Sequence, residues 1–348
     1  MRIIASKYWF LNFAGATLLC LACASSLAAQ QKPSENPTLH KGRTTEDWGS
    51  LSLKGSDLVP QVPVFGDKAD LPGYTRELIR VEWRRADPID LYIIRPKFVP
   101  KPRVILYLYS YPSEIDRFRN DDYCARLTSG GFAAVGFVSA LTGQRYNMRP
   151  MKEWFVSELQ ESLGTSVHDV QMILNFLSKR DDLDANDVGM FATGSGGTIA
   201  ILAAAVDPRI KAIDVVNPWG NWPDWMAGSS IIPENERPNY VKPEFLKKVE
   251  PLDPVRWLPQ LKTAHVRIQE ISDDTITPQK ARIEIESAAP AGTKMQHYEN
   301  VRQFFNASSA GRAFQWVKDQ LHQGPETGPV ASAPANGYPT NATQYDHE

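Results

Sequence analysis

Residues 187–203, DVGMFATGSGGTIAILA, constrain the fold of this chain more than any other segment. An apolar run ends in glycines around Ser195 and passes directly into a second apolar run of helical length. A buried strand, a tight turn and a buried helix satisfy both runs. Gly194, Gly196 and Gly197 flank the serine, so the turn can adopt backbone conformations closed to bulkier residues. A helix beginning at the serine aims its first N–H groups over the turn, where they can meet a developing negative charge. A strained strand-to-helix turn with a serine at its tip is the geometry of a nucleophile elbow. The plain alternative is a Gly-rich turn without chemistry. No lysine follows the glycines, which excludes a P-loop, and their spacing is not that of a dinucleotide fingerprint.

Strand and helix signals alternate on both sides of this segment. Residues 77–83 and 89–94, separated by RRADP, predict a hairpin. Residues 104–109 and 133–138 are apolar runs of buried-strand type, and 188–192, 213–216, 265–271 and 295–298 predict further short strands. Leu159, Leu163, Val167, Val170, Ile173, Leu174 and Leu177 recur at helical spacing, predicting a helix over 158–177, and 198–206 predicts another. Such alternation implies an α/β, doubly wound, mostly parallel sheet with helices on both faces. With 42% apolar and 22% charged residues in a chain of 348, a substantial core is available and wholesale disorder is excluded.

The remaining composition excludes several function classes. Lys and Arg number 38 against 40 Asp and Glu, which leaves no basic excess for a nucleic-acid backbone. There are three cysteines, and Cys20 and Cys23 fall in an N-terminal leader: Arg2 and Lys7, an apolar stretch over 10–24, then Ser26-Leu27-Ala28-Ala29. Residues 1–29 are expected to be a cleaved signal peptide, with an uncleaved anchor as the alternative, so the mature chain is expected to be periplasmic or secreted without an integral membrane span. Cys124 then stands alone, which excludes an internal disulfide. Residues 30–72 are predicted to form an extended arm, 73–322 the folded domain, and 323–348 a disordered Pro/Gly/Ala-rich tail. No His, Cys and Asp stand together at ligand spacing, so neither a metal nor a cofactor is expected.

From the elbow outward, residues 74–321 resemble the α/β-hydrolase superfamily. The order of hairpin, strand, strand, elbow and following strands matches, with Thr193 standing where the elbow's first small residue is expected. The resemblance implies Ser195 as nucleophile, with the backbone N–H groups of Gly196 and Tyr111 as oxyanion donors. It implies Asp274, in ISDDTITP, as the acid that orients a base, with Asp273 as the alternative. In the loop that should carry the base, Gln303 precedes Phe304-Phe305 where histidine is expected, and glutamine does not accept a proton near neutral pH. His297, inside the preceding strand, is the nearest substitute, although a structural histidine is the commoner role there. Residues 218–261 fall where the superfamily often inserts a lid, after the sixth strand. Trp219, Trp222 and Trp225 within that stretch are candidates for a substrate pocket, with core packing as their other role.

Two functions follow. One is an exported serine hydrolase acting on an ester, amide or peptide bond of a small molecule or peptide. The other is a catalytically inactive binding or interaction protein that keeps the elbow and lacks the base, a decayed peptidase being one form of it.

Overall fold

Strand pairing joins the alternating runs into two sheets. The computed structural model describes residues 44–322 apart from 86, 113–114 and 142–150, and apart from the side chains of 151–157 and 310. The expected signal peptide, the arm up to residue 43 and the tail 323–348 lie outside the described residues. The strands are β1 (Thr45–Asp47), β2 (Ser52–Lys54), β3 (Val64–Asp70), β4 (Tyr74–Val81), β5 (Ile89–Pro96), β6 (Arg103–Leu108), β7 (Ala133–Phe137), β8 (Asp184–Thr193), β9 (Ile210–Val216), β10 (His265–Ile271) and β11 (Lys294–Tyr298). β1 and β2 form a small hairpin of their own. The others form a nine-stranded sheet in the order β11-β10-β9-β8-β6-β7-β5-β4-β3. From β7 to β11 the pairs are parallel, and β3, β4 and β5 add to the β7 edge in antiparallel fashion.

The helices are α1 (Asp121–Thr128), α2 (Met151–Leu177), α3 (Gly194–Val206), α4 (Trp222–Gly228), α5 (Arg237–Tyr240), α6 (Pro243–Val249), α7 (Pro254–Trp257), α8 (Gln279–Ala288), α9 (Val301–Ser308) and α10 (Gln315–His322). Strand β6 shows how they divide between the faces. Val104, Leu106 and Leu108 join the core beneath α2, α3 and the helices of 218–261, whereas Ile105 and Tyr107 join a second core beneath α1 and α10. Period-two side chains on a strand buried on both sides build both cores at once. Cys124 is a free thiol buried in the second core. Among the described residues, no helix is long and apolar enough to cross a membrane.

Within the expected arm, the described residues include strands. Residues 64–70 are the edge strand β3, paired antiparallel to β4 from Val64↔Arg80 to Asp70↔Thr75 with an irregularity between Phe65 and Asp67. VFGDKAD shows no apolar alternation because it is mostly exposed, and its register comes from the backbone of β4 rather than from burial. Lys68 pairs with Glu77 at 3.2 Å and Asp70 with Lys97 at 2.7 Å, charges that also blunt an open edge. The segment 218–261 is folded into α4–α7, with Trp222, Trp225, Tyr240, Leu252 and Leu258 buried in the larger core.

The β1–β2 hairpin is fastened to α2 by a buried histidine. His168 Nε2 lies 2.8 Å from Glu46 Oε2 and Nδ1 3.1 Å from Gln171 Oε1. Burial pulls the imidazole pKa down, but the hydrogen bond and charge of Glu46, together with Gln171, outweigh it and the net shift is upward. A base whose folded pKa is raised contributes stability below its unfolded pKa and loses it as pH rises through the folded value. Urea midpoints will therefore fall as pH rises above the ordinary imidazole value of about 6.5, and Glu46→Gln will flatten that dependence. Equal slopes in wild type and variant would rule this linkage out.

Candidate active site

Strand β8 ends its ladder at Thr193, paired with Val216 of β9, and the chain turns at once into α3. The residue that takes the left-handed conformation in this turn is Gly194, at φ +52°. Ser195 follows it as the second residue of α3 and is completely buried. The turn after β6 wraps over the elbow. Ser110 N donates to Thr193 Oγ1 at 3.1 Å, Ser195 N to Ser110 Oγ at 3.4 Å, and Tyr111 N to Ser195 Oγ at 2.9 Å. The space that a side chain at 194 would enter is taken: a Cβ there would overlap Ser110 Oγ, lie 2.7 Å from Ser110 Cβ and 3.1 Å from Trp219 Nε1. Gly196 packs so closely on β6 that a Cβ would stand 2.6 Å from the Leu108 carbonyl oxygen. The two expected oxyanion positions thus lie at the elbow, with the Tyr111 N–H occupied by the serine's own oxygen.

Asp274 is also held at the carboxyl ends of the strands. Its Oδ1 accepts from Ile276 N at 3.1 Å, and its Oδ2 from Thr277 N at 3.2 Å and Asn217 Nδ2 at 3.0 Å. Asn217, at φ +42°, closes the end of β9 onto this loop: its Oδ1 accepts from Ile271 N at 2.9 Å. Arg282 of α8 completes the framework by donating to the carbonyls of Ser272, Asp274 and Thr277. Neither residue stood out in the sequence, because each acts by bridging segments far apart along the chain. Asp273 turns away, accepting from Val301 N at 3.0 Å at the start of α9.

Gln303, which stands where a histidine is expected, and His297, the nearest substitute, each have partners of their own. Gln303 lies in the first turn of α9, where Asn300 Oδ1 accepts from Gln303 N at 2.9 Å and Gln303 Oε1 accepts from Glu299 N at 2.6 Å, a reciprocal cap. His297 is on the outermost strand, β11, three strands from β8, or about 14 Å at ordinary strand spacing. It faces two carboxylates instead, with Nδ1 3.4 Å from Glu270 Oε2 and Nε2 3.7 Å from Glu286 Oε1. Burial and the neighbouring Glu286 raise the Glu270 pKa above the usual range, against the opposing pull of His297 and Arg282. The other described histidines also have their own places: His168 in α2, His265 at the amino end of β10, and His322 against Phe132.

Trp219, Trp222 and Trp225 are core residues, each at most 1% exposed. The Trp219 and Trp225 rings lie 4.7 Å apart and Trp222 meets Trp225 edge-on at 5.8 Å. The structure brings Ser195, Gly196, Tyr111 and Trp219 together at the elbow and Asn217 with Asp274 beside it. His297 lines a cavity of about 650 Å³ together with Glu270, Asp273, Asp274, Arg282 and Glu286 among others.

No family model matches this sequence, and no curated protein does. Solved structures do match. An acetyl xylan esterase from a Paenibacillus species superposes with a TM-score of 0.60 at 15% identity over 80% of this chain and 97% of its own. Acetyl xylan esterase 1 from a Thermoanaerobacterium species gives 0.59 at 15% identity over 76% and 90%. The acylaminoacyl peptidase of Pyrococcus horikoshii gives 0.57 at 14% identity over 75% of this chain and 44% of the peptidase. With the strand order, the elbow between β8 and α3 and the helices on both faces of the sheet, these likenesses show that the chain has the α/β-hydrolase fold.

Proposed function

We propose that this chain uses the α/β-hydrolase fold as a binding scaffold and performs no serine-hydrolase chemistry at Ser195. One observation carries this reading: the apex of the elbow is Gly194, while the Ser195 hydroxyl beside it is buried and bonded to the Tyr111 N–H. An elbow nucleophile works because its oxygen stands exposed over the sheet. The described histidines support the same reading, since each lies on an element away from the elbow turn, and loss of a general base alone removes about 10²–10⁴ in rate. The ligand expected is a small molecule or peptide, and the leader supports action outside the cytoplasm.

A second reading is an esterase- or peptidase-like hydrolase acting through Ser195. It is favoured by the Tyr111 N–H, which stands where an oxyanion donor is needed, and by the esterases and peptidase among the structural neighbours. A fluorophosphonate probe separates the two. The first reading expects no labelling of the purified full chain; labelling that disappears in Ser195→Ala establishes the second and overturns the first.

A further inference from the structure

Glu270, Glu286 and His297 are separated along the chain and come from three elements, yet they converge at one edge of the sheet. Glu270 and His297 are Cα partners in the parallel β10–β11 pair, so their side chains share a face. Glu286, from the last turn of α8, comes over that face. One ligand atom from each of the three lies within 4.8 Å of the others. Tetrahedral ligands at zinc bond lengths stand roughly 3.4 Å apart; the 3.4 Å contact of His297 Nδ1 with Glu270 matches that spacing, whereas the 3.7 Å contact with Glu286 is made by the other ring nitrogen, Nε2.

A second observation points to a ligand. Glu270 is 7% exposed, and its Oε1 is buried without a hydrogen-bond partner although the residue lines the 650 Å³ cavity. Arg282, whose charge acts on Glu270, spends its Nη1 and Nη2 donors on the carbonyl oxygens of 272, 274 and 277. A buried carboxylate oxygen left unsatisfied is costly unless an unseen group meets it.

We propose that Glu270, Glu286 and His297 hold one divalent transition-metal ion at this edge of the sheet, independently of Ser195. Two carboxylates and a neutral imidazole match a dication in charge. The imidazole nitrogen favours Zn²⁺, Co²⁺, Ni²⁺ or Fe²⁺ over Mg²⁺ and Ca²⁺, which prefer oxygen alone. Three protein ligands leave a coordination position facing the cavity, where water or an oxygen of a bound molecule can enter. The competing structural role is His297 bridging two glutamates with no ion.

Isothermal titration of chelator-treated full-length protein with Zn²⁺ distinguishes the two. The proposal expects saturable binding of one ion per chain. It also expects affinity weakened by about tenfold or more in both His297→Ala and Glu286→Gln, no change in a His265→Ala control, and no displacement by excess Ca²⁺ or Mg²⁺. His297 and Glu286 are half exposed, so both variants should keep the metal-free melting temperature of the wild type. Absence of saturable binding overturns the proposal, as does Zn²⁺ binding that survives both substitutions, which would belong to other histidines.

Discussion

Replacing Arg267 with methionine will destabilise the fold by about 3–5 kcal/mol, the range for breaking one side of a buried ion pair. Asp214 sits in the middle of β9, fully buried, and its register partner on β10 is Arg267. Arg267 Nε reaches Oδ1 at 2.8 Å and Nη2 reaches Oδ2 at 2.5 Å, while Gln269 Nε2 adds a bond to Oδ1 at 2.8 Å. Burial already raises the Asp214 pKa, with Arg267 and Gln269 opposing it. In the variant the carboxylate keeps only the Gln269 hydrogen bond and the charge of Lys294, so its folded pKa rises further above the unfolded value. A carboxyl with a raised folded pKa is best tolerated when protonated, and stability is lost as pH rises above the unfolded pKa. The loss will therefore be smaller near about pH 4 than near about pH 7. Urea unfolding at the two pH values measures it. The double variant Asp214→Leu with Arg267→Met should recover most of the stability, because both charges are then gone. A loss below about 1 kcal/mol at neutral pH would mean that the pair is not isolated from water.

Gly194→Ala will destabilise by about 2–5 kcal/mol from two separate sources: the left-handed conformation costs an L-residue about 1–2 kcal/mol, and forcing a methyl into an occupied space adds about 1–3. The occupied space is that of Ser110 and the Trp219 indole. Gly292 is the control, since it also has a positive φ, +89°, but a Cβ there meets nothing within 4 Å. Gly292→Ala should show the conformational part alone, and the difference between the two melts isolates the packing at the elbow. Should Gly194→Ala prove no worse than Gly292→Ala, the apex of the elbow has room for a side chain.

What the sequence revealed about the architecture was local. The hairpin 77–83 and 89–94, the strands at 104–109 and 133–138 and the helix over 158–177 were legible because burial on one or both faces imposes a period on neighbouring residues. They appear as β4, β5, β6, β7 and α2, the last beginning at Met151 rather than 158. Edge strand β3 escaped notice because an exposed strand needs no period; its pairing is made by the backbone of β4. The three tryptophans could be placed beside the elbow from their position after β9, but not assigned to pocket or core. That depends on how closely α4–α7 pack down on α2 and α3.

At the site, the same division holds residue by residue. Glycines on both sides of Ser195 announce a sharp turn. Which residue occupies its apex depends on where the β8–β9 ladder stops, and the last pair, Thr193↔Val216, places the apex at Gly194. Gln303 draws notice in the sequence only through the resemblance, and its work as a cap for α9 is visible only once Asn300 and Glu299 are folded around it. Likewise no spacing pattern joins Glu270, Glu286 and His297, because strand pairing and helix docking, not chain proximity, bring them together. By itself, then, the sequence determined the layers of this protein, since hydrophobic periodicity acts between near neighbours. The tertiary structure alone decided which polar side chains meet, because ladder register and helix docking set those distances across segments that the chain keeps apart.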